Sequence, residues 1–198
     1  MDLVARAQGI ILKPKEEWVK IKAEPTNITG LFTSYAAILA AIPAVAHFIG
    51  MGFIGQKIPF IGWYRFGLGR ALVYAIFAYI FSLVAVAVIG YVINALAPTF
   101  ASAPNLNQAM KLAVYSYTPA WVAGILNIIP ALSPLVILAS LYGLYLLYLG
   151  LANPLMETPK EKVLGYFIVS IVVAFVISVI FGFILGAIFA VRGVTTGL

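Results

Sequence analysis

From Leu112 to Leu151 the chain carries no charged side chain. The one interruption is Pro130-Ala131-Leu132-Ser133-Pro134, too short to cross anything and rich in turn residues. An α-helix rises about 1.5 Å per residue, so roughly twenty apolar residues span a bilayer's hydrocarbon core. The stretch predicts two antiparallel membrane-crossing helices, 112–129 and 135–151. It also holds Tyr115, Ser116, Tyr117, Thr118, Asn127, Ser140, Tyr142 and Tyr145. Lipid offers these groups no hydrogen bonds, so they are expected to face protein in the middle of a bundle.

Composition agrees. Hydrophobic residues make up 64% of the chain and charged residues 9%, far from the balance of a soluble domain. The fold class is an all-α integral membrane protein with one membrane domain over 1–198. The absence of cysteine removes disulfides, thiolate metal sites and cysteine nucleophiles. The net charge of +6 reads as an excess facing anionic headgroups rather than nucleic acid, because the basic residues are scattered.

Five spans are expected, at about 31–49, 71–96, 112–129, 135–151 and 164–191. Before them, Leu3, Val4, Ala7, Ile10 and Ile11 recur at helical spacing with Arg6 and Gln8 opposite. Pro14 suits the first turn of a second short helix that Pro25 ends. In that helix Trp18 and Ile21 share a face, while Lys15, Lys20 and Lys22 reach toward headgroups. The segment is expected to lie amphipathically in the interface, with docking of a cytosolic partner as the sharper alternative.

Asn27 or Thr29 caps the first span, which contains Pro43 and His47, the lone histidine. No acid lies within any span to share a proton with it, so a neutral, hydrogen-bonded histidine is the expectation. Residues 50–70 read as a glycine- and aromatic-rich connector with Trp63 and Tyr64 as interfacial anchors. Asn107 is expected to cap the third span, and Pro119 to free the carbonyl of Tyr115. The fourth span sets Ala139, Gly143 and Gly150 on one stripe. In the last span Ser170, Ala174, Ser178, Gly182, Gly186 and Ala190 are all small and four apart, the pattern of a close helix contact. Tyr142 and Tyr145 lie too deep for an aromatic belt. They are expected to meet Ser116, Tyr117 and Thr118 in a buried hydroxyl cluster, either pure packing or the lining of a small cavity.

The chain resembles the Yip family of multi-span membrane proteins (the Ypt-interacting-protein domain) in its short prokaryotic form. Near the amino terminus the likeness rests on Pro14, Trp18, Ile21 and Glu24. Further on it rests on Tyr115 to Pro119, the Pro130–Pro134 turn and Tyr142-Gly143-Leu144-Tyr145-Leu146-Leu147-Tyr148-Leu149-Gly150-Leu151. The resemblance implies five spans with a cytosolic amino terminus. In the eukaryotic branch it implies membrane-traffic proteins that bind prenylated Rab GTPases and carry a long cytosolic amino-terminal region not seen in this sequence; no biochemical activity carries over to the prokaryotic branch.

For function, all six acids (Asp2, Glu16, Glu17, Glu24, Glu157 and Glu161) lie before the first span or in the last connector. No zinc motif, nucleophile elbow or phosphate loop accompanies them, which argues against an enzyme. The expectation is a non-catalytic membrane-organising or interaction protein without cofactors. Its partners would be lipids, a membrane or cytosolic protein, or further copies of itself. A facilitator or channel for a lipid or small neutral solute is the alternative. Eight basic residues (Arg6, Lys13, Lys15, Lys20, Lys22, Lys111, Lys160 and Lys162) against Lys57, Arg65, Arg70 and Arg192 place the amino terminus in the cytosol of a cell with an inner membrane, and Leu198 outside.

Overall fold

Asp2 starts the first helix by accepting from the amides of Val4 at 2.9 Å and Ala5 at 3.2 Å. Helix α1 (Leu3–Leu12) turns at Lys13 into α2 (Pro14–Ala23), whose first turn holds the expected proline. These form a helical hairpin in the computed structural model, which describes residues 2–25, 27–58 and 62–190.

The Asn27 side chain caps α3 (Ile28–Leu31) by accepting from the Gly30 amide at 2.5 Å. A π-helical turn, Phe32–Ala36, leads into α4 (Ala37–Ile49), which runs through Pro43 to a second π turn at Gly50–Ile54. Next comes a short antiparallel ribbon, β1 (Gln56–Ile58) and β2 (Gly62–Tyr64), with Lys57 opposite Trp63. The sequence pattern gave no sign of these strands. Gly55 and Gly62 have φ of 77° and 95°, a region that side-chain-bearing residues avoid. Helix α5 (Leu68–Leu96) then descends to a 3₁₀ turn, Ala97–Phe100.

The third expected span differs from expectation. Helix α6 (Leu106–Ser116) begins ahead of Leu112, and Asn105 rather than Asn107 caps it, accepting from the Gln108 amide at 3.1 Å. Asn105 has the extended backbone a cap requires (φ −148°, ψ 98°), whereas Asn107 is already inside the helix. The helix breaks at Tyr117 and resumes as α7 (Thr118–Ala123), then tightens to a 3₁₀ turn, Gly124–Ile128. Pro119 has no N–H for the Tyr115 carbonyl, and the Tyr117 amide bonds Val114 at 3.2 Å instead. Helices α8 (Ser133–Ala152) and α9 (Lys160–Ala190) complete the chain.

Among the described residues, four stretches are long and apolar enough to cross a membrane: Ile28–Ile54, Leu68–Phe100, Pro130–Ala152 and Lys160–Phe189. With the segmented 106–128 region as the fifth, the count of five is approximate. That fifth region is also the core. Ala109 through Ser116 are all buried, enclosed by the α1–α2 hairpin, α3, α5 and α8. Two glycines let α8 come close. A Cβ on Gly143 would lie 2.6 Å from the Ser116 carbonyl oxygen, and one on Gly150 would lie 2.4 Å from Leu112.

Helix α9 lies at the edge. Val163, Tyr166 and Ser170 are buried, and the Tyr166 ring stacks on Phe100. The small-residue stripe packs over its first half only. Ser170 is buried and Ala174 touches the core, but Ser178 is exposed, and a Cβ on Gly182 or Gly186 would meet nothing within 4 Å. The expectation of close contact along the whole stripe is thus corrected for the described residues: α5 meets the far half of α9 through Phe181, stacked on Phe81, and Phe189, set against Tyr74, so the two glycines face away from it. The side chain of Ala190 and the residues after it, Val191 and Arg192 included, lie outside the described residues.

Candidate functional site

At the amino-terminal end of the bundle, charge is buried where the sequence pattern placed it on a solvated face. Arg6 is 6% exposed and donates to Glu17 at 2.5 Å and to Glu24. Glu17 is buried too and also accepts from the exposed Lys20 at 3.0 Å. The guanidinium lies 5.8 Å from the centre of the Tyr115 ring on α6. Glu17, Ile21 and Glu24 fall at i, i+4 and i+7, so both carboxylates share the inward stripe of α2. That spacing was the available signal for this cluster. What hid it was the single Arg6, three helical turns away by sequence and across a hairpin.

Helix α6 completes the arrangement by capping α2. Lys111 Nζ donates to the carbonyls of Ile21 and Glu24, each at 2.7 Å, and Gln108, one turn earlier, donates to that of Lys22 at 3.2 Å. The last turn of any helix leaves carbonyls without internal donors, and these two residues supply them. Lys22 meanwhile pairs with Glu157 in the α8–α9 loop, tying a further connector to the hairpin.

The motif residues find their physical reasons here. Pro14 opens α2, Trp18 and Ile21 are fully buried, and Glu24 anchors Arg6. Trp18 makes an edge contact with Tyr115 at 6.3 Å, and its indole packs over Gly150. The reading that the Trp18–Ile21 face lies in the membrane interface is therefore corrected: that face grips protein, because α1 and α6 pack against it. The outward face is mixed. Val4, Leu12 and Val19 are exposed among Lys13, Lys15 and Lys20.

The five residues expected to form one hydroxyl cluster are divided between partners. Thr118 pairs with Tyr35 at 2.9 Å, beside a Tyr35–Tyr115 edge contact at 4.7 Å. Tyr142 donates to the Ile11 carbonyl at 2.7 Å, pinning the end of α1. Tyr145 is 42% exposed and merely leans on the Tyr142 ring. Tyr117 packs on Trp121, whose indole N–H donates to Ser82 at 3.0 Å. Ser116 alone is left with a buried hydroxyl and no partner among the described residues. The cluster does not form because the hairpin and the Phe32–Ala36 turn, both outside the 112–151 stretch, supply partners to Tyr142 and Thr118. His47 stacks on Tyr74 at 4.6 Å and makes no side-chain hydrogen bond among the described residues, which corrects the expectation of a hydrogen-bonded imidazole.

Elements that span, a buried ionic latch and a capped hairpin define a helical integral membrane protein built around an internal helix. The chain belongs to the Yip1 domain family, whose model matches residues 9–192. It is similar to the inner membrane protein YohC of Escherichia coli strain K12, with 32% identity over 170 residues, covering 80% of this chain and 82% of the relative. The YohC of E. coli O6:H1 strain CFT073 matches equally. No solved structure matches.

Proposed function

We propose that the protein is a non-catalytic membrane-organising protein whose amino-terminal hairpin engages anionic lipid on the cytosolic face. The observation that carries this reading is the outward face of the hairpin, where Val4, Leu12 and Val19 stand exposed among lysines while the opposite face is locked to the bundle. Apolar residues interleaved with lysines suit the boundary between headgroups and acyl chains.

Depth supports it. Exposed Tyr91 and Tyr148 flank the hairpin end, and exposed Trp63 stands at the other. From Arg70 to Tyr91 α5 rises about 31 Å at roughly 1.5 Å per residue, close to a hydrocarbon core of about 30 Å. Tyrosines at that level form an interfacial belt. The hairpin then sits at the headgroups, with its tip, near Tyr142, dipping about 5–10 Å inside, as interfacial helices do. The test is lipid retention in nanodiscs of anionic against zwitterionic lipid. Changing Lys13, Lys15 and Lys20 to glutamine should weaken retention of anionic lipid by about tenfold or more at low salt, since each lysine contributes up to about 1 kcal/mol near such a surface. Retention indifferent to headgroup charge in the unmodified protein would remove this reading.

A further inference from the structure

A cavity of about 230 Å³ opens between α5, the α6–α7 break, α8 and α9. Its mouth is flanked by the exposed Ser140 and Ser178, whose hydroxyls turn back to the carbonyls of Val136 at 2.9 Å and Ala174 at 2.8 Å. Its inner wall includes Ser116, 6% exposed, with its hydroxyl buried and lacking any hydrogen-bond partner among the described residues. A buried polar group of this kind costs stability unless something pairs with it. Water is a poor candidate, since it needs about two to four polar partners and most of the lining is apolar, Ile89, Leu144 and Leu147 among it.

The chemistry of the occupant follows from what the walls lack and where they lie. No charged residue lines the cavity, so a phosphate, carboxylate or ammonium would be buried without a counter-charge. The atom meeting Ser116 must be a neutral acceptor, and the rest must be apolar. Leu147 adjoins Tyr148 and Ile89 lies two residues from Tyr91, so the cavity sits immediately under the tyrosine belt. In a glycerolipid leaflet that is the depth of the ester groups. We propose that this cavity takes the ester-linked acyl chain of a membrane glycerolipid, entering between Ser140 and Ser178, with the Ser116 hydroxyl donating to the ester carbonyl.

This inference rests on the lipid half of the proposed function, but it concerns an ester group rather than headgroup charge, so the two fail separately. The experiment is photo-crosslinking of the protein in nanodiscs by a phosphatidylcholine with a diazirine-bearing chain, with the labelled peptides identified by mass spectrometry. Label is expected to concentrate on 140–147 and 174–178. It should fall several-fold with Ser116→Ala, with Ser140→Trp at the exposed mouth, and with an ether-linked lipid that lacks the carbonyl. Unlabelled diacylglycerol should compete as well as unlabelled phosphatidylcholine, since the ester is what is recognised. Label that is indifferent to Ser140→Trp would show that the cavity is not entered. Equal labelling by the ether lipid, or competition by phosphatidylcholine alone, would overturn ester recognition.

Discussion

Lys111 shows how one residue can have two readings. Its position suggested the edge of a span, yet it is buried and holds the carboxyl end of a separate helix through two charge-assisted bonds. Lys111→Met keeps the aliphatic stem and removes both donors, leaving two carbonyls short. At roughly 1.5–3 kcal/mol for each bond to a charged group, a loss of about 3–6 kcal/mol is expected, read as a lower unfolding midpoint in detergent. Arg6 poses a sharper test. Arg6→Leu leaves the buried Glu17 carboxylate without its main counter-charge, a change of about 3–5 kcal/mol. Arg6→Leu combined with Glu17→Leu removes both charges and should lose less than Arg6→Leu alone, as a double-mutant cycle would report. A double variant worse than the single one would mean that the pair is not a coupled unit.

Among the elements, helices were legible and their company was not. The apolar runs located α4, α5, α8 and α9 because lipid and core both reward the same side chains. Helix α6 starts earlier than the apolar run predicts, because Lys111 and Gln108 look like loop residues until α2 is seen against them. The Trp18-Ile21 face was recognised as apolar, but hydropathy does not say whether lipid or protein covers a stripe. Small residues carry the same ambiguity. A Cβ on Gly143 would press on backbone, the Ser116 carbonyl, whereas one on Gly182 would meet nothing within 4 Å. Gly143→Ala should therefore destabilise by about 1–3 kcal/mol and Gly182→Ala should not, by thermal unfolding in one detergent. Equal losses would mean that a neighbour packs against the Gly182 face of α9.

At the scale of the whole molecule, the chain is a bundle wrapped around α6 and closed at one end by a hairpin. The hairpin, the turn after α5 and the 153–159 loop gather at that end, while the β-ribbon and the end of α9 lie at the other. Reporter fusions in the 153–159 loop and after Leu198 are expected on opposite faces, with the loop cytosolic. The central claim is that the hairpin grips the bundle with its Trp18 face and turns its Leu12 face to lipid. Quenching by brominated lipids tests it most directly, in a chain carrying Trp63→Phe and Trp121→Phe so that Trp18 is the sole indole. Trp18, fully buried, should stay bright whatever the depth of the bromines, while a tryptophan at position 12, with Trp18 changed to phenylalanine, should be quenched by shallow ones. Strong quenching of Trp18 itself would contradict the account, because the hairpin would then lie with its aromatic face in the membrane and not on α6.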